Sequence, residues 1–371
     1  MLRISILIFS IFFYSFLSIN SQDLENLIKR INIDSLTDNV NILSGEKEVI
    51  INNKPVKIDS RKFDSETKHF AALWLKSKLE EYGYSPEIIE LAKNEETVIA
   101  RKSGSNQNNL VIIGAHYDSF NYDPGLAPGA NDNASGCSAV LEIARIIKDI
   151  DLSFNLEFIF WDGEETGMKS SMNYVQNFVN GTDYLIAYIN LDMLAWDSDN
   201  DGKVRIKYKE IGNSNSIALQ TIEWANIFKL NLKPELYTNK WWGDGDCDSF
   251  WKKGLTSIGI ADLLDFYDSY HNAYDLIKLF NYDYFLENTK LAFIITYKLS
   301  IGDNLSVKSL DSINIKSNNF IKATREQIIN LEKETNLLDV EVYNVIGIKI
   351  DLKNVNDLPE AVYFVRKKLS Y

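Results

Sequence analysis

Cysteine is scarce: two in 371 residues, Cys137 and Cys247. That excludes a disulfide-stapled scaffold and a cysteine-rich zinc module. Excess positive charge is missing as well. With 39 basic against 52 acidic side chains the net charge is −13, so a nucleic-acid backbone would meet no basic surface and no such partner is expected. After the first 20 residues no stretch is apolar enough to span a membrane, because Asp or Lys interrupts every candidate. No period of about 20–50 residues recurs, which excludes a solenoid. What remains is the composition of a folded chain, 45% hydrophobic and 25% charged, long enough for one large domain and a small one.

The two ends differ from the middle. Arg3 precedes an apolar run, Ile4–Ile19, and Ser21-Gln22 follows. This is the pattern of a secretory signal peptide over residues 1–21. The run has 16 residues, short of the roughly 20 that a helix needs to cross a bilayer. Export and an extracellular or cell-surface destination are therefore expected. Residues 22–60 carry no clear pattern and read as an N-terminal extension. From about Leu310 the chain loses its acidic bias: nine basic and nine acidic residues lie between Asp311 and Tyr371. Short alternating runs at Val340–Tyr343, Gly347–Ile350 and Val362–Arg366 suggest a small β module over 310–371.

Between them, over 61–302, apolar runs alternate with helical periodicity. Ser65 offers a cap for a helix bearing Phe70, Leu73, Trp74 and Leu79, which Gly83 can end. Val98–Ala100 and Leu110–Gly114 read as strands joined by the polar turn Ser103–Asn109. Leu156–Trp161, Leu185–Leu191 and Ser257–Ile260 read as further strands. Helices are expected over Ser135–Ile150, Lys169–Asn177, Ser214–Phe228 and Phe285–Leu299. Near-continuous apolar strands alternating with helices indicate an α/β fold, a mostly parallel central sheet with helices on both faces.

Candidate ligands fall just past those strands. His116 and Asp118 follow Leu110–Gly114, Glu164 and Glu165 follow Leu156–Trp161, and Asp192 follows Leu185–Leu191. Open α/β sheets bind ligands beyond the carboxyl ends of their strands. Asp132 lies in the Gly- and Pro-containing loop Asp123–Ala134, and His271 in the loop after Ser257–Ile260. Two imidazoles and three carboxylates suit zinc in an open catalytic site. Three ligand carboxylates against two divalent ions leave a local charge of +1, which favours a bound hydroxide. Each residue alone has a plainer role: His116 at a core edge, His271 packed in a loop, Glu164-Glu165 at a helix start where carboxylates favour the dipole. His69 matches no pattern and reads as structural.

The strings Gly114-Ala-His-Tyr-Asp-Ser119, Gly129-Ala-Asn-Asp-Asn-Ala-Ser-Gly136, Asp162-Gly-Glu-Glu-Thr-Gly167, Asn190-Leu-Asp-Met193 and Tyr270-His271 resemble the M28 family of zinc peptidases, in that family's order. The resemblance implies two zinc ions. His116, Asp132 and Asp192 would hold one. Asp132, Glu165 and His271 would hold the other, with Asp132 bridging. Glu164 would be the general base acting on a metal-bridged water, and Asp118 would orient His116 from behind. It also implies a cis peptide at Asp132–Asn133 and an aminopeptidase acting on peptide or protein N-termini. Glutaminyl cyclase, a one-zinc enzyme forming N-terminal pyroglutamate, shares the fold and a similar His-Tyr-Asp-Ser string.

Three further expectations concern the surroundings. Trp241, Trp242, Phe250 and Trp251 form an aromatic cluster, either core packing or the wall of a pocket for the substrate's first side chain. Cys247 stands where many family members have His, and an exported chain permits a Cys137–Cys247 disulfide, which spacing neither requires nor excludes. Finally, Val340-Glu-Val-Tyr-Asn-Val-Ile-Gly347 and Leu358-Pro-Glu-Ala-Val-Tyr-Phe-Val-Arg366 resemble type IX secretion sorting domains, with Ala361 where that family usually has Gly. This resemblance implies the type IX secretion machinery as a partner.

Overall fold

The computed structural model describes residues 21–177, 184–238, 245–262 and 267–303, and the strand backbones 320–324, 340–343, 349–350 and 362–367. The chain divides into two compact units, 1–302 and 303–371. The apolar run Ile4–Ile19 lies outside the described residues. Among the described residues no helix is long and apolar enough to cross a membrane.

The first unit begins with helices α1 (Ser21–Ile28) and α2 (Ile33–Leu43), a short hairpin β1 (Val49–Ile51) and β2 (Lys54–Val56), and α3 (Glu66–Glu81). Then come β3 (Glu87–Ala92), β4 (Glu95–Lys102), β5 (Asn106–His116), α4 (Gly136–Ile147), β6 (Phe154–Trp161), α5 (Lys169–Asn177), β7 (Tyr184–Leu191) and β8 (Lys203–Lys207). The rest is α6 (Ser214–Ile227), β9 (Lys233–Tyr237), α7 (Cys247–Trp251), β10 (Ser257–Ala261) and α8 (Tyr282–Ser300). Ser65 caps α3 by accepting from the Thr67 amide, 3.3 Å away, as its sequence position suggests.

Eight strands form one mixed sheet in the order β3-β4-β6-β5-β7-β10-β8-β9. The central four, β6-β5-β7-β10, run parallel; β3, β4 and the β10–β8 step are antiparallel. Helices α3, α4, α6 and α8 cover one face, and α5 and α7 the other. The parallel strands are the apolar ones: every residue of β6 and β10 is buried, as burial on both faces demands. The sequence reading joined β4 and β5 by a turn. They are joined, but β6 lies between them, pairing antiparallel with β4 and parallel with β5.

Parallel register brings strand ends to one rim. His116 pairs with Trp161, Gly114 with Asn190, and Leu191 with Ile260. The residues that follow each strand therefore emerge side by side.

Residues 22–60 are more structured than their pattern suggested. Leu36, Val40 and Leu43 of α2 are buried next to α4. The wholly buried Glu142 of α4 accepts from the Asn32 amide and the Ser35 hydroxyl and pairs with Arg145 at 2.6 Å. This contact explains why α4 is buried on nearly every side, not on one stripe only.

The second unit contains a four-stranded antiparallel sheet of β11 (Phe320–Thr324), β12 (Val340–Tyr343), β13 (Lys349–Ile350) and β14 (Val362–Lys367), in the order β11-β14-β12-β13. Three of these coincide with the alternating runs; β11 was not read from the sequence.

Candidate metal centre

His116 ends β5 and is buried. Its Nε2 lies 3.2 Å from Asp132 Oδ1 and 3.5 Å from Asp192 Oδ1. His271 Nε2 lies 3.1 Å from Asp132 Oδ2 and 3.0 Å from Glu165 Oε2. The two oxygens of Asp132 thus face different imidazoles. Two groups of potential metal ligands result, His116-Asp132-Asp192 and Asp132-Glu165-His271, each with ligand atoms within 4.8 Å of one another. Ligands about 2.0–2.1 Å from a tetrahedral zinc stand roughly 3.3 Å apart, close to the separations here. Glu165 Oε1 and His271 Nδ1 are buried without a hydrogen-bond partner. The donor set, its spacing and the orphaned carboxylate oxygen all fit a pair of divalent cations.

Local structure fixes these positions. Gly129 takes a left-handed φ of 54°, and a Cβ there would lie 2.3 Å from Asp132 O; only glycine fits. The Asp132–Asn133 peptide is cis, as the family resemblance implies. Asp275 accepts from the amides of Asn131 and Asp132, at 2.8 and 2.9 Å, and from Tyr267 Oη at 2.7 Å. Wholly buried Arg61 donates to the carbonyls of Tyr117, Leu43, Pro128 and Gly129, tying α2 to the Asp132 loop. Sequence reasoning missed Asp275 and Arg61, since neither sits in a ligand motif.

Asp118 does two jobs. Its backbone carbonyl lies 3.1 Å from His116 Nδ1 and its Oδ1 3.5 Å, fixing the ring. Its carboxylate also accepts from the amides of Glu164 and Glu165, which orients the turn carrying both. Asp162, just before that turn, forms a buried pair with Lys68 at 2.7 Å, and Glu95 completes the triad at 3.0 Å. His69 lies apart, half exposed and paired with Glu96 at 2.7 Å.

Without cations the cluster cannot hold all its charges. Burial pushes the Glu164 carboxyl well above its usual range, and Glu165, Asp246 and Asp192 add repulsion. Burial and the neighbouring Asp132 push Glu165 up to about 7. Burial works against the imidazolium of His116, yet Asp118, Asp132 and Asp192 raise it well above its ordinary value. Burial likewise opposes charge on His271, but Asp132 and Glu165 raise it to about 10. Asp132 is held low by both imidazoles in spite of burial. Protons thus occupy the cluster where cations would otherwise balance it.

The aromatic cluster resolves differently from the pocket expectation. Phe250 is wholly buried and stacks on Tyr188 at 4.2 Å. Trp251 is buried and donates to Ser257 O at 3.0 Å. Both pack in the core beneath β6 and β7 with Trp161 and Tyr174, so they are core residues and not a pocket wall. Trp241 and Trp242 lie outside the described residues. Cys137 and Cys247 are buried and form no disulfide with each other; Cys137 Sγ donates to His116 O at 3.1 Å. A second acidic group, Asp197, Asp199 and Asp201, turns its oxygens onto backbone amides of its own loop.

The family comparison matches residues 97–295, more than half of the chain, to peptidase family M28. A probable zinc metalloprotease of Pyrenophora teres f. teres is 38% identical over 121 residues, 31% of this chain and 26% of that protein. A probable leucine aminopeptidase of Trichophyton verrucosum is 27% identical over 268 residues, 67% of this chain and 71% of that protein. The chain thus spans about a quarter of the first relative and most of the second. Among solved structures, the LapA aminopeptidase of Legionella pneumophila superposes with a TM-score of 0.64 at 20% identity, covering 76% of each chain. A glutaminyl cyclase of Bacteroides thetaiotaomicron superposes with a TM-score of 0.56 at 16% identity, covering 72% of this chain and 98% of its own. These two share the fold, and the fold alone does not choose between their chemistries. The sequence match over β4 to α8, with a ligand set assembled at the strand ends, makes the chain a member of peptidase family M28.

Proposed function

We propose that the protein is a two-zinc aminopeptidase that removes N-terminal residues from peptides. One observation carries the reading: Asp132 turns one oxygen to His116 and the other to His271, within reach of Asp192 on one side and Glu165 on the other. Two divalent cations, when bound, would supply Lewis acidity to the scissile carbonyl and to the attacking water. The protein's own part is to hold and to move protons. His116, Asp132 and Asp192 would ligate one cation, and Asp132, Glu165 and His271 the other. Glu164, in the same turn as Glu165, would take the proton from the water and pass it to the leaving amine. Asp118 would keep Glu164 in place through its amide.

A one-zinc cyclase is the rival on the same fold. The second ligand group, complete at Glu165 and His271, argues for the peptidase. Two bound zinc ions per chain would support the reading; one tightly bound zinc with ammonia released from N-terminal glutamine would overturn it. The same proposal includes export by the N-terminal apolar segment and recognition of the C-terminal unit by type IX secretion machinery. Both rest on the sequence strings.

Glu164→Gln is the sharpest test. General acid–base groups contribute about 10²–10⁴ in rate, so turnover on a free-amine peptide should fall by roughly that factor while both zinc ions remain. Unchanged turnover would remove Glu164 from its role. Cleavage confined to N-acetylated peptides would refute the aminopeptidase assignment.

A further inference from the structure

Around Asp132 the string 129–136 carries three polar residues outside the ligand set, Asn131, Asn133 and Ser135, and all three are buried. A buried carboxamide or hydroxyl is costly unless it finds partners. These find them on the segment that follows β7, which carries Asp192. Asn131 Oδ1 accepts from the Ala195 amide at 3.0 Å, and Ser135 Oγ from the Leu194 amide at 3.1 Å. Asn133 Oδ1 accepts from the Met193 amide at 3.2 Å, while Asn133 Nδ2 donates to Leu191 O at 2.8 Å.

Asn133 differs from the other two in what it grips. Leu191 O belongs to the peptide group before Asp192, and the Met193 amide to the peptide group after it. One planar carboxamide therefore holds the backbone on both sides of a ligand. Its orientation is fixed by its partners, since a carbonyl can only accept and an amide only donate. The Gly136 amide also donates to Asn133 Oδ1, at 3.0 Å. A Cβ on Gly136 would lie 2.4 Å from that oxygen and 2.6 Å from Leu191 O. Its φ of −61° is ordinary, so space and not backbone freedom demands glycine there.

Asp192 lies where the chain leaves the sheet. Its amide still donates to Ile260 O at 3.1 Å. Met193 then turns left-handed, with φ of 60°, a conformation that a non-glycine residue adopts at some cost. The Met193 carbonyl is held by the Asp262 amide at 2.8 Å, and its amide by Asn133.

We propose that Asn133 is a positioning residue of the metal centre, which sets Asp192 opposite His116 by holding both peptide groups that flank Asp192. Because Asn133 follows Asp132 in the chain, the bridging carboxylate and its neighbour Asp192 are registered by one side chain. This rests on the metal reading of the cluster and adds to it a residue outside the ligand set.

Asn133→Asp tests it. The variant keeps the shape and both acceptors, loses the donor, and turns an oxygen onto Leu191 O. It is made in full-length His271→Ala protein, where only the His116-Asp132-Asp192 group is complete, and in full-length His116→Ala protein, where only Asp132-Glu165-His271 is. Losing a group that orients a ligand typically costs about 10–100-fold in metal affinity. Zinc affinity should fall by that factor in the His271→Ala background and much less in the other. With cobalt in place of zinc, the visible absorption of the His271→Ala protein should change as well, because it follows coordination geometry. Ser135→Ala removes two buried hydrogen bonds from the same loop but neither contact to the peptide groups beside Asp192. It should lower thermal stability and leave zinc affinity near the parent value.

Equal losses in the two backgrounds, an equal loss in Ser135→Ala, or a loss of stability alone in Asn133→Asp each overturn the proposal and leave the two-zinc reading standing. An unsubstituted chain that binds no zinc refutes both. If Asn133→Asp fails to fold, Asn133→Ser drops both contacts without opposing two oxygens and should show the same pattern. If neither folds, hydrogen exchange on the metal-free parent decides. A Met193 amide protected like those of β7 supports the proposal, and rapid exchange there overturns it.

Discussion

His116 and His271 bring the same atom, Nε2, to the same carboxylate at 3.2 and 3.1 Å, but by different means. His116 is the last residue of a central strand, buried, in register with β6, and backed by Asp118. His271 sits in a loop with φ of 55°, a left-handed conformation that a non-glycine residue adopts at some cost. It is held by rings: Tyr270 stacks at 3.7 Å, and Phe120 and Tyr122 pack at 5.0 and 5.2 Å. Its Nδ1 has no partner. One imidazole is positioned by the sheet and the other by a loop.

The largest test of that contrast removes each ring in turn. His116→Ala strips a ligand from a pre-built group, and His271→Ala strips one from the looser group. Each should reduce bound zinc from two ions to one, measured by metal analysis after dialysis. The ion left in His271→Ala should be the more tightly held, because His116, Asp132 and Asp192 are buried or nearly so and keep their supports. Equal affinities for the remaining ion in the two variants would break the contrast.

Proton release is the next smaller effect. Binding a cation requires neutral imidazoles and ionised carboxylates. In the free cluster His271 is raised to about 10 and Glu165 to about 7. Both must therefore lose protons to bind metal, and affinity must fall as pH falls. Between about pH 6 and 8 the affinity for zinc should rise at least about tenfold per pH unit, one net proton released. Potentiometric titration of metal-free protein with zinc measures this directly; a flat profile would mean the cluster is already deprotonated.

The same contrast explains how much was legible in the sequence. Strand-delivered groups were visible because β5, β6 and β7 are apolar runs ending in His116, Glu164-Glu165 and Asp192, so rim and ligands were read together. Loop-delivered His271 had no periodicity to place it; it was read only as an imidazole in the loop after Ser257–Ile260, and its pairing with Asp132 and Glu165 came from the family strings. The insertion of β6 between β4 and β5 could not be read, since pairing partners are set by tertiary packing and not by local pattern. Helix α1 and strands β3 and β9 were missed because their apolar positions are few or half-covered; α2 was missed although Leu36, Val40 and Leu43 fall at helical spacing and are buried. Arg205 and Lys207 suffered most: alternate charges in a short strand look like a solvated face, yet here that face is the inner one.

The smallest effect concerns the rings around His271. Tyr122 is 72% exposed, its amide donates to His271 O at 3.1 Å, and its ring rests against the imidazole. Tyr122→Ala keeps the backbone bond and removes only the ring. Ring pairs contribute about 0.5–1.5 kcal/mol, and exposure places this one at the lower end. Overall stability should move by no more than about 0.5 kcal/mol, as for other surface substitutions. The effect should appear instead in one of the two zinc ions, whose affinity should fall about two- to threefold on that estimate. A stepwise zinc titration separates the two events. If the ion held by His116 weakens equally, the rings do not position His271 alone, and the loop and strand halves of the site are mechanically one.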